Sequence, residues 1–176
     1  MDIREKLRSH WYAADSREGN SFDWDRPAVI FDIDGVLSDA AGRQHFIEKG
    51  AKRDWDKFFS SCGEDPIIEE VVKLLSLLDE NLLIVLLTGR PLSVREQTLS
   101  WLRRYSLRWD LLIMRNFGDH SAAKEFKSIS VDQLRSSGID PVLAFEDDKR
   151  NVEMFREKGI PCLYIHSGYY DNLLPS

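Results

Sequence analysis

Cysteine is scarce in this chain of 176 residues. Cys62 and Cys162 are the only two, and neither sits at metal-ligand spacing, which excludes a disulfide framework and a cysteine-based zinc site. Long hydrophobic runs are missing as well. None approaches the roughly 20 apolar residues of a membrane-spanning helix, so no membrane partner is expected. The opening stretch "MDIREKLRSHWYAADS" mixes charges with apolar residues and lacks the apolar core of a secretory leader. Basic charge is not in excess: 24 Lys and Arg against 30 Asp and Glu leave a net charge of −6. That balance excludes nonspecific duplex binding through a broad basic face, while leaving room for a local patch. No G-x-x-x-x-G-K-[ST] occurs, which excludes a P-loop kinase site, and no internal repeat or low-complexity tract is present. The expected location is the reducing cytoplasm.

The composition is that of a folded domain, with 43% hydrophobic and 31% charged residues. The length fits a single domain, 1–176. Residues 1–26 read as a short N-terminal helix, with Ile3, Leu7 and Trp11 at helical spacing, followed by a polar link ending near Pro27. Thereafter the pattern alternates. Strand-like apolar runs occupy Ala28–Phe31, Leu82–Leu87, Leu111–Met114, Val142–Phe145 and Cys162–Ile165. Helical patterns lie between most of them: a stripe from Ile67 to Leu78, then Leu92–Tyr105, Ala122–Ser136 and Asn151–Lys158, the last stopped by Gly159 and Pro161. Continuous apolar strands separated by helices predict an α/β fold with a parallel sheet covered on both faces. The span 38–66 breaks the alternation, is polar apart from "WDKFF", and reads as a small cap insertion after the first strand.

Sites in open parallel sheets gather at the carboxyl ends of the strands. Here those ends carry Asp32 and Asp34 in "VIFDIDGVLSDA", Thr88, Gly89 and Arg90 in "LLTGR", and Glu146, Asp147 and Asp148 in "AFEDD". Lys127 lies in the helix between the third and fourth strands. A cluster of carboxylates repels itself and calls for a cation, and an all-oxygen set favours Mg²⁺. A carboxylate beside that ion can attack phosphorus, and a second one two residues along can shuttle protons. Thr88, Lys127 and backbone N–H groups can neutralise phosphoryl oxygens. Taken singly, each feature has a plainer reading: Asp-Gly and Thr-Gly-Arg-Pro as turns, Lys127 as a solvated helix lysine with Lys124 as a rival. The acid triplet also allows two registers, Glu146–Asp147 or Asp147–Asp148.

Together, "FDIDGVLSD", "LLTGR", Lys127 and "AFEDD" resemble the four motifs of the haloacid dehalogenase (HAD) superfamily of phosphohydrolases, over about Val29–Ile165. The resemblance implies a Rossmann-like sheet with the first strand central. It implies Asp32 as nucleophile, Asp34 as general acid/base, Thr88 and Lys127 as phosphate ligands, and Asp147 as a metal ligand, with Asp32 and Asp34 also at the Mg²⁺ site. A narrower likeness adds "FDIDGVLSDAAGR", the "GD" at Gly118–Asp119 and "NVEMFREKGIPCLYIHSG". This set is similar to the 3′-phosphatase domain of phage-type polynucleotide kinase-phosphatases, where an arginine lies eleven residues after the nucleophile. Arg43 holds that position here, and Arg90 follows the glycine of the second motif, so both are expected on the substrate side with Gly89. In this register the acidic pair is Glu146–Asp147.

The sequence departs from that pattern where Ser121 and Ala123 replace the arginine and second aspartate of a "GD-x-R-x-D" stretch. With no kinase motif, the expectation is a stand-alone phosphatase acting on a phosphorylated nucleotide or nucleic-acid end. The alternatives are a general nucleotide or small-molecule phosphatase, and a non-catalytic binding module with the same fold. Arg103, Arg104, Arg108 and Arg115, interleaved with aromatics, read either as a nucleic-acid surface or as the solvent face of a helix. Oligomeric state is left open.

Overall fold

The computed structural model describes residues 8–14, 23–48 and 52–171. Six strands form one sheet: β1 (Trp11–Ala13), β2 (Pro27–Phe31), β3 (Leu83–Pro91), β4 (Leu111–Arg115), β5 (Asp140–Glu146) and β6 (Cys162–Tyr164). Their order is β1-β4-β3-β2-β5-β6, so β2 is central. All neighbouring pairs are parallel except β1 with β4. This is the anticipated Rossmann-like α/β sheet with one antiparallel edge strand added.

The strands read as unbroken apolar runs because both faces are buried, and the period-2 alternation divides each run between two cores. Ala28, Ile30, Leu83, Val85, Leu87, Leu111 and Ile113 face one layer, built from α4 (Ala123–Ser136) and α5 (Lys149–Glu157) through Phe126, Val131, Leu134, Val152 and Phe155. Val29, Phe31, Ile84, Leu86, Leu112 and Met114 face the other, built from α2 (Glu69–Leu77) and α3 (Arg95–Arg104) through Val71, Leu75, Trp101 and Leu102. Phe31 and Phe145 stack at 4.4 Å across neighbouring strands, just below the residues that end them.

The helix expected near the amino terminus is corrected at its described end. Trp11–Ala13 form a strand, with Trp11 paired to Ile113 and Ala13 to Leu111. The open edge of β4 offers a ladder to a segment that buries Trp11 on one face and turns Tyr12 to the other. Ile3 and most of that predicted helix lie outside the described residues.

The insertion after β2 carries a 3₁₀ stretch (Ala40–Phe46), helix α1 (Trp55–Ser60) and a 3₁₀ turn (Cys62–Glu64). Backbone bonds from Asp39 N to Pro66 O (2.9 Å) and from Ile68 N to Leu37 O (2.8 Å) close it at its base. Of its aromatics, Phe58 is buried and Trp55 is exposed.

Candidate active site

The carboxyl ends of β2, β3 and β5 lie side by side, and the polar residues there sort into two clusters. The first contains Asp32, Glu146, Asp147 and Lys127, all buried. One oxygen each from Asp32, Glu146 and Asp147 lies within 4.8 Å of the others. Lys127 reaches over from α4, with its Nζ 2.8 Å from Asp32 Oδ2 and 2.5 Å from Glu146 Oε2. Glu146 Oε1 accepts from the N–H groups of Asp147 and Asp148 at 3.2 Å each. One ammonium therefore faces three carboxylates.

The two residual negative charges have a visible consequence. Burial, followed by the nearby carboxylates, pushes Asp147 well above the ordinary carboxylate range. Ser167, close by, and Lys127 pull the other way, but neither Asp147 oxygen has a hydrogen bond of standard geometry among the described residues. Burial raises Asp32 too, and Lys127 offsets only part of that rise. Lys127 itself is disfavoured by burial, yet Asp32 and Glu146 outweigh this and hold it protonated. A buried carboxylate with both oxygens unsatisfied fits a divalent cation, and the all-oxygen set suits Mg²⁺. Gly35 makes the approach possible: at φ +80°, its missing side chain leaves room for Asp147 Oδ2, which any Cβ there would overlap.

The sign of the pH effect follows. A carboxyl whose folded pKa lies above its unfolded value binds more protons when folded, so stability falls as pH rises between the two values. The metal-free protein is expected to weaken from about pH 4 to about pH 9 through Asp32 and Asp147. Asp147→Asn should raise its melting temperature in chelator at about pH 8 by about 3 °C or more, with little change near pH 4. A lower melting temperature at pH 8 would contradict this origin of the strain.

The second cluster surrounds Asp34. Its Oδ1 accepts from Arg43 Nη2 at 2.5 Å, Arg90 Nη2 at 2.6 Å and Arg90 Nε at 3.0 Å. Burial would raise its pKa, but Arg90 and Arg43 more than reverse this and hold it below the ordinary range. Beneath it, Asp65 accepts from Arg43 Nε at 3.0 Å, Arg43 Nη2 at 2.7 Å and the Ser38 hydroxyl at 2.5 Å, with Arg90 at 3.5 Å. Arg43 also donates to the Phe58 carbonyl at 3.2 Å, and its guanidinium carbon stands 4.3 Å from the Phe58 ring centroid. The insertion is thus bolted to the site through two buried arginines.

The structure therefore brings Asp32, Lys127, Glu146 and Asp147 together, with Asp34 beside them on its own pair of cations. Arg43 and Arg90 lie buried beneath Asp34. Thr88 is buried at the end of β3's apolar run, and its hydroxyl oxygen accepts from Arg90 N at 3.2 Å. The Gly89 carbonyl accepts from Arg115 Nε at 3.4 Å. Asp148 turns away: it N-caps α5 through Arg150 N at 2.9 Å and pairs with the Arg150 guanidinium at 2.7 Å. Lys124 is exposed, 3.8 Å from Glu157. Arg108 lies at the opposite sheet edge, donating to the carbonyls of Leu78, Asp79 and Leu82, and Arg104 pairs with Glu64. Of the four arginines in the basic–aromatic stretch, Arg115 is the one at the site's edge. Asp65 escaped the sequence reading, since an acid before proline in "GEDP" looks like a turn.

A parallel sheet with an acid pair two residues apart after its central strand, a serine or threonine after the next, and a lysine facing further acids is the layout of a HAD-type phosphatase. Residues 26–170 match the family described as the polynucleotide kinase PNKP phosphatase domain, and the chain belongs to that family. Among solved structures, chains of the Pnkp1/Rnl/Hen1 complex resemble it with a TM-score of 0.66 and 25% identity over 82% of this chain. A second structure of that assembly, described as an RNA repair complex, gives 0.65 and 24% over 87%. This chain spans 47% of the length of those chains. The class C acid phosphatase from Bacillus anthracis, solved with tungstate, shares the fold with a TM-score of 0.59 and 16% identity, over 85% of this chain and 70% of that one. No protein of curated function matches. Among the described residues no helix is long and apolar enough to cross a membrane.

Proposed function

We propose that this chain is a Mg²⁺-dependent phosphomonoesterase that moves the phosphoryl group of a nucleotide or polynucleotide 3′-phosphate first to Asp32 and then to water. The observation that carries the reading is the pairing of Asp32 with Lys127 at 2.8 Å beside Asp147, whose two buried oxygens are unpartnered among the described residues. Asp32, Glu146 and Asp147 would hold the ion, which would screen their charge from the incoming phosphate and polarise its oxygens.

An oxygen of Asp32 attacks phosphorus, and the bond from phosphorus to the leaving sugar oxygen breaks. Lys127 and the Thr88 hydroxyl supply positive charge and a donor to the transferring oxygens. Asp34 gives its proton to the departing oxygen, then takes one from the water that attacks the acyl phosphate and frees Asp32. Arg43 and Arg90 favour the ionised Asp34 that the second step needs. A phosphoryl dianion beside it pushes the other way and favours the proton used in the first.

The family match and the likeness to the Pnkp1 chains support a nucleic-acid end as the substrate. The test is a panel of 3′- and 5′-phosphorylated oligonucleotides, mononucleotides and sugar phosphates assayed with Mg²⁺. The 3′-phosphorylated oligonucleotides should give the highest kcat/KM, and chelation should abolish turnover. Efficient hydrolysis of sugar phosphates with none of any oligonucleotide would reject the substrate assignment.

A further inference from the structure

Beyond Tyr164, where β6 ends, the chain turns back across the carboxyl edge of the sheet. The strap 166–171 is fixed at several points. Gly168 has φ +79°, and Asp171 N approaches its carbonyl at 3.5 Å, which closes a turn. Ser167 packs against Gly35: a side-chain carbon added there would meet Ser167 Cβ at 3.0 Å as well as Asp147. The Tyr169 hydroxyl donates to Asp39 Oδ1 at 2.8 Å, which joins the strap to the loop after β2.

Between the Tyr169 anchor and the turn at Asp171 stands Tyr170, on the Arg150 side of the strap. Its ring centroid lies 5.7 Å from the Arg150 guanidinium carbon, and Arg150 is itself held by Asp148, the residue after Asp147. On the same edge, Lys149 Nζ stands 5.3 Å from the Tyr164 ring, and the Tyr164 hydroxyl meets His166 Nδ1 at 3.2 Å. Burial and then the fields of Asp147 and Asp32 raise the Tyr170 phenol above its ordinary pKa. Two half-buried tyrosines with cations on their faces therefore flank the acids.

We infer that Tyr170 is a substrate-contact residue, its ring receiving the base of the terminal nucleotide while the 3′-phosphate reaches Asp32. The inference rests on the phosphatase reading above and adds a determinant for polynucleotide over small esters. Aromatic rings held rigid next to cations are the chemistry of single-strand binding, in which bases stack and the backbone meets positive charge. Stacking on a ring reads no base edge, so such a contact tolerates any base.

The test compares kcat/KM for an oligonucleotide 3′-phosphate with that for p-nitrophenyl phosphate, in the full chain with Mg²⁺. Tyr170→Ala should lower the ratio roughly 5- to 150-fold, chiefly through KM for the oligonucleotide. Tyr170→Phe, which keeps the ring, should preserve the ratio. Tyr169→Phe, which cuts the Asp39 anchor, should lower it in the same direction as Tyr170→Ala. Equal losses on both substrates in Tyr170→Ala, or an unchanged ratio, would overturn the inference while leaving the phosphatase reading intact. A wild-type chain inactive on the oligonucleotide would overturn both.

Discussion

Asp32→Asn is expected to reduce phosphatase activity by about four orders of magnitude or more, on every substrate the chain hydrolyses. The size follows from the role. An amide nitrogen or oxygen does not form the acyl phosphate, and the other carboxylate on Lys127 among the described residues, Glu146, is held by that ammonium and by the N–H groups of Asp147 and Asp148. The fold should survive, because Asn matches Asp in shape and can keep oxygen acceptance from the N–H of Ile33, 2.7 Å from Asp32 Oδ1, while Lys127 retains Glu146. Removing one of three crowded carboxylates also relieves repulsion in the metal-free protein. Steady-state assays and thermal melts of the same preparation separate these effects. Activity retained at more than a few per cent, in a protein that melts normally, would refute the nucleophile assignment.

Arg43→Ala should be the most damaging change to the structure around the site. Arg43 is almost fully buried and bridges Asp34 at 2.5 Å and Asp65 at 2.7 Å. Its removal leaves Asp65, also buried, with the Ser38 hydroxyl and a long 3.5 Å approach from Arg90. Breaking a buried ion network by deleting one partner costs about 3–5 kcal/mol. For a domain of this size that is about 6–20 °C in melting temperature. Activity should fall on oligonucleotide and small ester alike, since the loss acts through Asp34, which both substrates use. Arg43→Lys should not restore it, because one ammonium cannot reproduce the separate guanidinium bonds to Asp34, Asp65 and the Phe58 carbonyl. A loss confined to oligonucleotides, with an unchanged melting temperature, would instead make Arg43 a direct substrate contact.

That geometry shows what could be read in the residue order and what could not. β2, β3, β4 and β5 were legible because burial on both faces requires unbroken apolar runs, and the acids stood out because they end those runs. Thr88 stood out by the same logic of strand ends, whereas Lys127 was separated from its rival Lys124 only by the resemblance to the third HAD motif. The ambiguity of "AFEDD" needed coordinates: Asp148 became a helix cap only once α5 was seen to start at Lys149. Asp65 carried no local signal, since its partners Arg43 and Arg90 lie 22 and 25 residues away along the chain. Trp11 looked helical because it follows Ile3 and Leu7 at helical spacing, and the open edge of β4 that captures it lies some 100 residues later. Arg108 illustrates a further limit: periodicity places a residue on an element but does not say which end of the sheet it serves. Tyr170 was hidden for a similar reason, as its setting depends on a return of the chain that no spacing encodes.

The measurement that bears most directly on the central claim is chemical trapping of the phosphoryl group in a single turnover. A substrate labelled in its phosphate would be mixed with excess enzyme and Mg²⁺, quenched in acid and digested. The account predicts one hydroxylamine-sensitive phosphoryl group on the peptide containing Asp32, absent from Asp32→Asn. Label on another residue, or release of phosphate at full rate with no labelled protein at any time, would contradict it.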